Sequence, residues 1–348
     1  MNELASPGLL LALLAGVAIA WNNGANDVSK GVATLVGTGV TNLKRATTWG
    51  TAWTAAGALA GALVARAMLD TFGSALLTDL AAPALSSAVS TMLGAAAWLA
   101  LATRLGLPVS TTHALVGAIM GTALVAWGPR SLQWNTLVYK VAMPLAFSPL
   151  VALALTIAVV KGWTRLVPAR ANRSVSTVNR LHWLTAGFTS FARGLNDAPK
   201  LVALTVTATV LAAPGLAVPG QAPAAAIFAL LALSMAMGGL FAGRRVTRVM
   251  ASDITTLKHG EGFAANLVSS ILVGAGAVLG LPMSTTHVAS CAVIGTGATR
   301  SGALQMKTVG TIAAAWIVTL PAAAGMAAAF WYAAKLAGPA AAVAGVTP

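Results

Sequence analysis

Four polar segments lie within an otherwise apolar chain, and each carries side chains that can bind ions. Two of them share the order Gly, x, Asn, Asp, x, x, Lys. They supply Asn26, Asp27 and Lys30 in the first copy and Asn196, Asp197 and Lys200 in the second, at a constant offset of 170 positions. Carboxylate and amide oxygens can bind cations, whereas ammonium and amide N–H groups can bind anions. These two Asn-Asp motifs therefore predict a paired ion site.

The other two polar segments read LPVSTTH and LPMSTTH, and they lie 174 positions apart. Their hydroxyl groups belong to Ser110, Thr111 and Thr112 in the first STTH motif and to Ser284, Thr285 and Thr286 in the second. In each motif a proline ends the preceding element, so the hydroxyls lie where the next helix begins. Free backbone N–H groups and the helix dipole favour an anion at such a place. We therefore predict a paired oxyanion site.

Four further residues are weaker candidates for the same site: Asn23, His113, His287 and Arg193. Each histidine closes an STTH motif and could relay protons or bond an anion, although an imidazole at a helix cap is as plausible an interpretation. Arg193 directly precedes the second Asn-Asp motif, and Asn23 holds the matching place in the first copy. Arg193 is therefore a candidate gate or anion contact without a counterpart.

The composition is that of an integral membrane protein. Hydrophobic residues make up 57% of the 348 and charged residues only 8%, against roughly 25% charged in soluble domains. Apolar runs near the roughly 20 residues of a spanning helix recur throughout, which excludes barrel strands. We predict spans at about residues 6–41, 46–68, 84–103, 108–128 and 133–160, and again at 181–212, 222–243, 261–280, 282–298 and 309–335. The first span of each series is expected to break at its Asn-Asp motif.

These runs predict an all-α polytopic fold of two repeats, each with about five spans, and with interrupted helices or re-entrant hairpins at the STTH motifs. The first repeat is expected at 1–160 and the second at 181–337. A basic cytoplasmic linker, 161–180, joins them, and an Ala-rich tail, 338–348, follows.

Charge predicts how the chain crosses the membrane. Most loop Lys and Arg residues collect in one set of loops, and the opposite set holds Arg130 with the acids Asp70 and Asp79. By the positive-inside rule both termini are then external in a multi-pass protein of the cell (inner) membrane. Five crossings per repeat make the second repeat inverted, which is typical of secondary transporters with alternating access. The net charge of +14 reflects these loops, and no basic face for nucleic acid is visible.

Two other classes of membrane protein compete with a transporter. An anion channel would use similar polar rings but would not need carboxylates at its site. An intramembrane enzyme could pair Ser110 with His113, or Ser284 with His287, as nucleophile and base. Exact duplication argues against an enzyme, because catalysis needs one site whereas alternating access needs symmetric gates.

The segments GANDVSK and GLNDAPK, together with PVSTTH and PMSTTH, resemble the duplicated signature of the inorganic phosphate transporter (PiT) family. The resemblance implies a phosphate permease that works as a symporter and forms a homodimer in the lipid bilayer, with no cofactor. By this resemblance phosphate would bind at Ser110, Thr111, Thr112, Ser284, Thr285 and Thr286. To these we add Lys30 and Lys200 as substrate-binding candidates, from the residues of this chain alone. The coupling ion, Na⁺ or H⁺, would bind at Asn26, Asp27, Asn196 and Asp197.

The chain departs from the family pattern at Lys30 and Lys200, where many members that it resembles carry asparagine. Two carboxylates with neutral neighbours would repel an anion until cations enter, whereas two ammonium groups can cancel their charge beforehand. Our hypothesis is that the lysines replace coupling sodium, which favours proton coupling slightly over sodium coupling.

The substrate follows from hydrogen-bonding capacity. Dihydrogen phosphate can donate to Asp27 and Asp197, whereas sulfate is only an acceptor. The lysines could still satisfy sulfate, so a transporter of sulfate or a related oxyanion is the alternative, and an anion channel is the second.

Overall fold

The structure, a computed structural model, describes residues 6–64, 66–166, 175–216 and 222–337. Within these ranges the chain is almost entirely helical, with two isolated β-bridges, Leu77 to Leu132 and Thr255 to Leu304. The predicted all-α fold is confirmed. The predicted tail and residues 167–174 of the predicted linker lie outside the described residues.

The first half contains seven α-helices and two π-helical turns among the described residues. In chain order these are α1 (Pro7–Asp27), α2 (Ser29–Gly37), α3 (Leu43–Val64), α4 (Arg66–Asp70), a π turn (Thr71–Ala75), α5 (Leu85–Leu105), α6 (Thr111–Ala126), a 3₁₀ turn (Pro129–Ser131), a π turn (Thr136–Ala142) and α7 (Met143–Leu166).

The α-helices of the second half follow the same order, except that one long helix replaces α1 and α2, and the short 3₁₀ and π turns differ in number and place. It comprises α8 (Val175–Ala212), a 3₁₀ turn (Pro214–Leu216), α9 (Ala222–Ala242), α10 (Arg244–Arg248), a π turn (Val249–Asp253), α11 (His259–Val278), α12 (Thr285–Ala298) and α13 (Met306–Leu336).

Six helical stretches among the described residues are long and apolar enough to cross a membrane, which confirms a multi-pass protein. They are Pro7–Gly37, Leu85–Leu105, Thr136–Leu166, Ala225–Ala242, Gly260–Val278 and Met306–Leu336. A seventh, Leu43–Leu63 with Arg66–Ala75, is bent by 83°. Helices α6 and α12, at 16 and 14 residues, are about 24 and 21 Å long, which is shorter than the roughly 30 Å of a hydrocarbon core.

The expected break at the second Asn-Asp motif is wrong, and at the first motif the interruption is reduced to one residue, Val28, between α1 and α2. Helix α1 continues through Asp27, and Val28 keeps helical angles (φ −55°, ψ −31°) before α2 begins. Helix α8 runs unbroken across the second motif, with Pro199 inside it. The polar side chains bond one another, so the backbone keeps its own helical hydrogen bonds. Non-helical backbone lies instead at residues 106–110 and 279–284, in agreement with the predicted break at the STTH motifs. We call each of these segments, together with the first two residues of the helix that follows it, a tip: the first tip is 106–112 and the second is 279–286.

The two halves interlock through close helix crossings at glycines. Helix α3 packs on α8 of the other half, and α9 packs on α1. A Cβ atom on Gly57 would lie 2.0 Å from the carbonyl oxygen of Phe191, and one on Gly238 would lie 2.0 Å from that of Trp21. Such distances exclude any side chain. Each helix that carries an Asn-Asp motif is therefore held by a helix of the other half.

The two hairpins are held in the same reciprocal way. Helix α13 packs on α5 and α6, and α7 packs on α11 and α12. A Cβ atom on Gly121 of α6 would lie 2.2 Å from the carbonyl oxygen of Ala324 of α13. This packing brings both tips and both Asn-Asp motifs into the interior of the molecule.

Candidate functional site

Each Asn-Asp motif presents its polar side chains on one helix face. Because the chain stays helical, residues at spacings of three, four and seven lie together. The face on α1 and α2 carries Asn23, Asn26, Asp27 and Lys30, and the face on α8 carries Arg193, Asn196, Asp197 and Lys200. None of the eight residues exposes more than 2% of its surface. The two faces thus place five ionisable groups in the interior.

Lys30 lies inside a set of three oxygen atoms. Its Nζ donates to the backbone oxygen of Asn26 at 2.8 Å, to Asn26 Oδ1 at 2.8 Å and to Asp27 Oδ1 at 2.7 Å. An ammonium group has three donors, so all three are used. The buried pair with Asp27 is thereby both charge-compensated and fully hydrogen-bonded, which is the arrangement that a buried ion pair requires.

Lys200 has a different set of oxygens, because it reaches both tips. Its Nζ donates to Thr112 Oγ1 at 2.7 Å, to the backbone oxygen of Met283 at 3.2 Å and to Asp197 Oδ1 at 3.3 Å. Thr112 belongs to the first half and Met283 to the second tip. The second motif is therefore tied to both hairpins through one ammonium group.

Asn23 connects the two carboxylates. Its Nδ2 lies 3.3 Å from Asp27 Oδ2, 3.2 Å from Asp197 Oδ2 and 2.9 Å from Thr111 Oγ1. Thr111 in turn donates to Asp27 Oδ2 at 3.2 Å. A residue that was only a weaker candidate in the sequence thus lies at the centre, and the two Asn-Asp motifs form one site.

The two tips are hydrogen-bonded to each other at matching residues. Thr112 Oγ1 lies 3.1 Å from the backbone oxygen of Met283, and Thr286 Oγ1 lies 2.7 Å from that of Val109. The tips also bind the motifs: Asn26 Nδ2 donates to the backbone oxygen of Leu107 at 2.9 Å. All six predicted hydroxyl residues are buried in this region.

Ser110 and Ser284 form the helix N-caps that the prolines predicted. Each serine Oγ accepts a hydrogen bond from the backbone N–H three residues later, at His113 (3.2 Å) and His287 (3.1 Å). Thr285 is buried in the first turn of α12. The capping serines therefore fix the helix starts, whereas Thr111 and Thr112 bond directly to the motif side chains.

The two histidines form a separate pair beside the tips. Their ring centroids are 4.5 Å apart, and the ring of His287 lies 4.0 Å from that of Trp316. Both line an apolar cavity of about 410 Å³ together with Leu145 and Pro149. Among the described residues, neither imidazole ring is hydrogen-bonded to a side chain of the two Asn-Asp motifs.

Sequence reasoning missed several groups that complete the site. Asn26 Nδ2 donates to Thr103 Oγ1 at 3.0 Å, and the backbone N–H of Val109 donates to Asn26 Oδ1 at 3.2 Å. The carbonyl groups of Leu107, Val109 and Met283 are also acceptors here. These backbone acceptors could not be predicted from the amino-acid types, because every residue has a backbone carbonyl group.

The charged groups of the site do not cancel. Asp27 and Asp197 oppose Lys30, Lys200 and Arg193, so the site carries one excess positive charge when all five are ionised. Within the part of the chain that the structure describes, the hydrogen-bond contacts of Arg193 are long and run from Nη1 to Asn23, at 3.4 Å to its backbone oxygen and 3.5 Å to Oδ1. The arrangement favours an anion over a further cation.

The chain matches the model of the phosphate transporter family over residues 23–179 and again over residues 163–327. It is 32% identical over 337 residues to the "Probable low-affinity inorganic phosphate transporter" of Rhizobium meliloti (strain 1021), covering 94% of this chain and 97% of that protein. A protein of the same description from Mycobacterium tuberculosis (strain ATCC 25618 / H37Rv) is 29% identical over 93% of this chain and 76% of its own length.

A solved structure titled "The sodium-dependent phosphate transporter" has the same fold, with a TM-score of 0.83 and 22% sequence identity. The match covers 94% of this chain and 99% of that one. The family and its relatives are transporters, so the prediction that the protein is not an enzyme is confirmed. Two successive family matches and a relative of nearly equal length that is 32% identical lead to one conclusion: the chain belongs to the phosphate transporter family.

Proposed function

We propose that this protein imports inorganic phosphate across the cell membrane by alternating access, with a coupling cation that is a proton rather than sodium. The observation that carries the coupling proposal is the position of Lys30. Its ammonium group occupies three oxygens of the first Asn-Asp motif at 2.7–2.8 Å. Carboxylate and amide oxygens are the atoms that the family resemblance assigns to the coupling cation. A lysine side chain of the protein therefore supplies the positive charge that sodium would otherwise bring.

Sodium fits the first motif poorly. Asn26 Oδ1 and Asp27 Oδ1 both accept hydrogen bonds from Lys30, so a sodium ion there would have to displace the ammonium group and lie beside its charge. At the second motif, Lys200 bonds Asp197 Oδ1. Asn196 Oδ1 has no hydrogen-bond partner among the described residues. It is therefore the oxygen that a sodium-coupled mechanism would have to use.

The substrate site is proposed between the tips and the two motif faces. Thr111 and Thr112 already contact Asp27 and Lys200, and the starts of α6 and α12 bring Ser110, Ser284, Thr285 and Thr286 to the same region. Hydroxyls, two helix N-termini and an excess positive charge together favour an oxyanion.

The contact between the tips supports re-entrant hairpins in an inverted pair of repeats. If α5, α6, α11 and α12 all crossed the membrane in inverted halves, the tips would lie at opposite surfaces, about 30 Å apart. They are instead hydrogen-bonded to each other. With both hairpins turning back inside the bilayer, each half crosses three times, which is still odd and keeps the inversion.

The proposed sidedness places the loop with Asp79 outside and the basic loop with Arg244, Arg245 and Lys258 inside, with external termini. A homodimer and an inner-membrane location stay predictions. The surface of α3 at Gly57 packs against Phe191 within the chain, so a dimer would have to use another surface.

Radiolabelled phosphate uptake into proteoliposomes, under separately imposed sodium and proton gradients and with sulfate as competitor, tests the proposal. We expect accumulation against the phosphate gradient that is driven by protons and does not need sodium. An absolute sodium requirement would refute the coupling proposal. Failure to accumulate phosphate above equilibrium would indicate a channel, and equal competition by sulfate would indicate a general oxyanion carrier.

A further inference from the structure

Two polar atoms of the site have no hydrogen-bond partner among the described residues. Arg193 Nε is a donor, and Asn196 Oδ1 is an acceptor. Their residues are three positions apart on α8, so the side chains are neighbours on one helix face. Both are buried, at 1% and 0% exposure. Because buried polar groups are rarely left unpaired, the two atoms together fit a ligand that carries both an acceptor and a donor.

Arg193 is also short of charge compensation. Among the described residues, no carboxylate lies within ion-pair distance of its guanidinium group, whereas Lys30 and Lys200 each pair with an aspartate. Its contacts to Asn23, at 3.4 and 3.5 Å, are at the long limit of a hydrogen bond. Asp27 and Asp197 attract the guanidinium group from beyond ion-pair distance, and an oxyanion in direct contact would compensate its buried charge further.

The orientation of the Asn196 amide group is fixed by its neighbours, and it leaves the oxygen free. Asn196 Nδ2 donates to Asp197 Oδ1 at 2.9 Å and to the backbone oxygen of Met283 at 3.0 Å. The reversed amide would put Oδ1 against two acceptors, so Oδ1 must face the other way. In the matching Asn26, Oδ1 already accepts from Lys30 and from Val109. Of these two matching amides, the one in the second half therefore keeps a free acceptor.

We propose that Arg193 and Asn196 select the substrate by its protonation state. Arg193 donates to an ionised oxygen of phosphate, and Asn196 Oδ1 accepts from a phosphate hydroxyl. Dihydrogen phosphate satisfies both, whereas sulfate leaves the Asn196 oxygen facing another acceptor. A site built to bond a substrate hydroxyl strongly rejects an analogue that lacks it. The inference rests on the proposed function, and it assigns discrimination to Asn196 rather than to the aspartates, whose oxygens already accept from Lys30, Lys200 and Asn23.

The test compares phosphate uptake and its inhibition by sulfate in proteoliposomes of the wild type, Asn196→Ala and Asn26→Ala. Asn196→Ala should raise the potency of sulfate relative to phosphate by about ten-fold or more, since it removes the acceptor that sulfate cannot satisfy. Asn26→Ala is the matched control: it should lower uptake and leave the sulfate-to-phosphate ratio unchanged, because its oxygen faces Lys30.

Arg193 has a different expected effect. Arg193→Met should raise the KM for phosphate and weaken sulfate competition alike, by about ten-fold or more, because either anion uses this donor. Arg193→Lys, which keeps the charge but not the planar guanidinium, should recover part of the affinity. An unchanged KM in Arg193→Met would overturn this half of the proposal.

Phosphate binding can also be measured in variants that do not transport, as the rise in unfolding temperature on adding phosphate. This measurement is made in detergent with choline as the only added cation. If Asn196→Ala does not fold, Asn196→Gln keeps an amide donor for Asp197 and Met283 as well as an acceptor oxygen and should keep phosphate selectivity, and loss of selectivity in that variant contradicts the proposal. Two further results would contradict the proposal. One is the same potency of sulfate relative to phosphate in Asn196→Ala and Asn26→Ala. The other is that Na⁺ without phosphate protects the wild type from thermal unfolding but does not protect Asn196→Ala. Absence of phosphate uptake by the wild type refutes the proposed function instead.

Discussion

The hydroxyl group of Thr286 donates a 2.7 Å hydrogen bond to the backbone oxygen of Val109. At the matching positions, the hydroxyl group of Thr112 donates a 3.1 Å hydrogen bond to the backbone oxygen of Met283. Each tip thus supplies one donor and one acceptor to the other. Thr112 also accepts a hydrogen bond from Lys200 at 2.7 Å. The two tip-to-tip bonds therefore occupy matching positions, but only the threonine of the first half also contacts an ammonium group of the Asn-Asp motifs.

This inequality predicts different effects of two equivalent substitutions. Thr286→Val should cost about 0.5–1.5 kcal/mol of stability, the usual value of one hydrogen bond, with modest loss of uptake. Thr112→Val also deprives Lys200 of an acceptor, so we expect a larger loss of stability and at least about ten-fold lower uptake. Thermal unfolding measures the loss of stability, and initial uptake rates measure the loss of transport. If Thr112→Val and Thr286→Val lost the same stability and the same uptake, the contact of Thr112 with Lys200 would have no functional weight.

The aspartates are expected to be indispensable. Asp27→Asn leaves Lys30 without its carboxylate in a buried site, where breaking an ion pair costs about 3–5 kcal/mol, and Asp197→Asn does the same to Lys200. Phosphate uptake should be abolished in both. The control is Asp79→Asn, because Asp79 is exposed. Normal uptake in a well-folded Asp27→Asn variant would exclude this site assignment.

Replacing the lysines should create sodium dependence. In the double variant Lys30→Asn, Lys200→Asn the two aspartates lose their built-in cations, and an external cation must then neutralise them before an anion binds. Uptake should become dependent on sodium concentration. Lys44→Asn, at an exposed lysine, should leave the sodium response unchanged. A double variant that transports phosphate equally well without sodium would show that the lysines do not replace it.

Substitution of the glycines at the close helix crossings should destabilise the protein. Gly57→Ala and Gly238→Ala each place a Cβ atom 2.0 Å from a carbonyl oxygen of the partner helix. Overpacking of this kind costs about 1–3 kcal/mol or more. Gly325→Ala, where nothing lies within 4 Å of the added atom, should be neutral or slightly stabilising. Thermal unfolding in detergent measures all three, and equal stabilities would mean that the helices do not cross this closely.

The inverted arrangement predicts opposite accessibility of two matching loops. In a Cys291→Ala background, Asp79→Cys should react with a membrane-impermeant maleimide added outside intact cells. Asp253→Cys, at the matching exposed position, should react only after the membrane is opened. Labelling of both cysteines from the same side would rule out inversion of the second half.

The sequence by itself determined the membrane class, the duplication and the types of residue at the site. Apolar runs of spanning length, a proline before each STTH motif and serine caps are local properties, and the structure contains the corresponding helices and caps at Ser110 and Ser284. The charge balance between Asp27 and Lys30 was also readable, because residues three apart on a helix must meet.

Only the tertiary structure decided how the parts combine. Polar composition predicted broken helices at the Asn-Asp motifs, but α8 continues because Asn196 and Lys200 find partners on the second tip and in Thr112. The bridging position of Asn23 and the acceptors at Val109 and Met283 depend on helices from opposite halves crossing at glycines. Such contacts join residues far apart in the chain, and a backbone carbonyl is the same in every residue, so no local pattern could predict them.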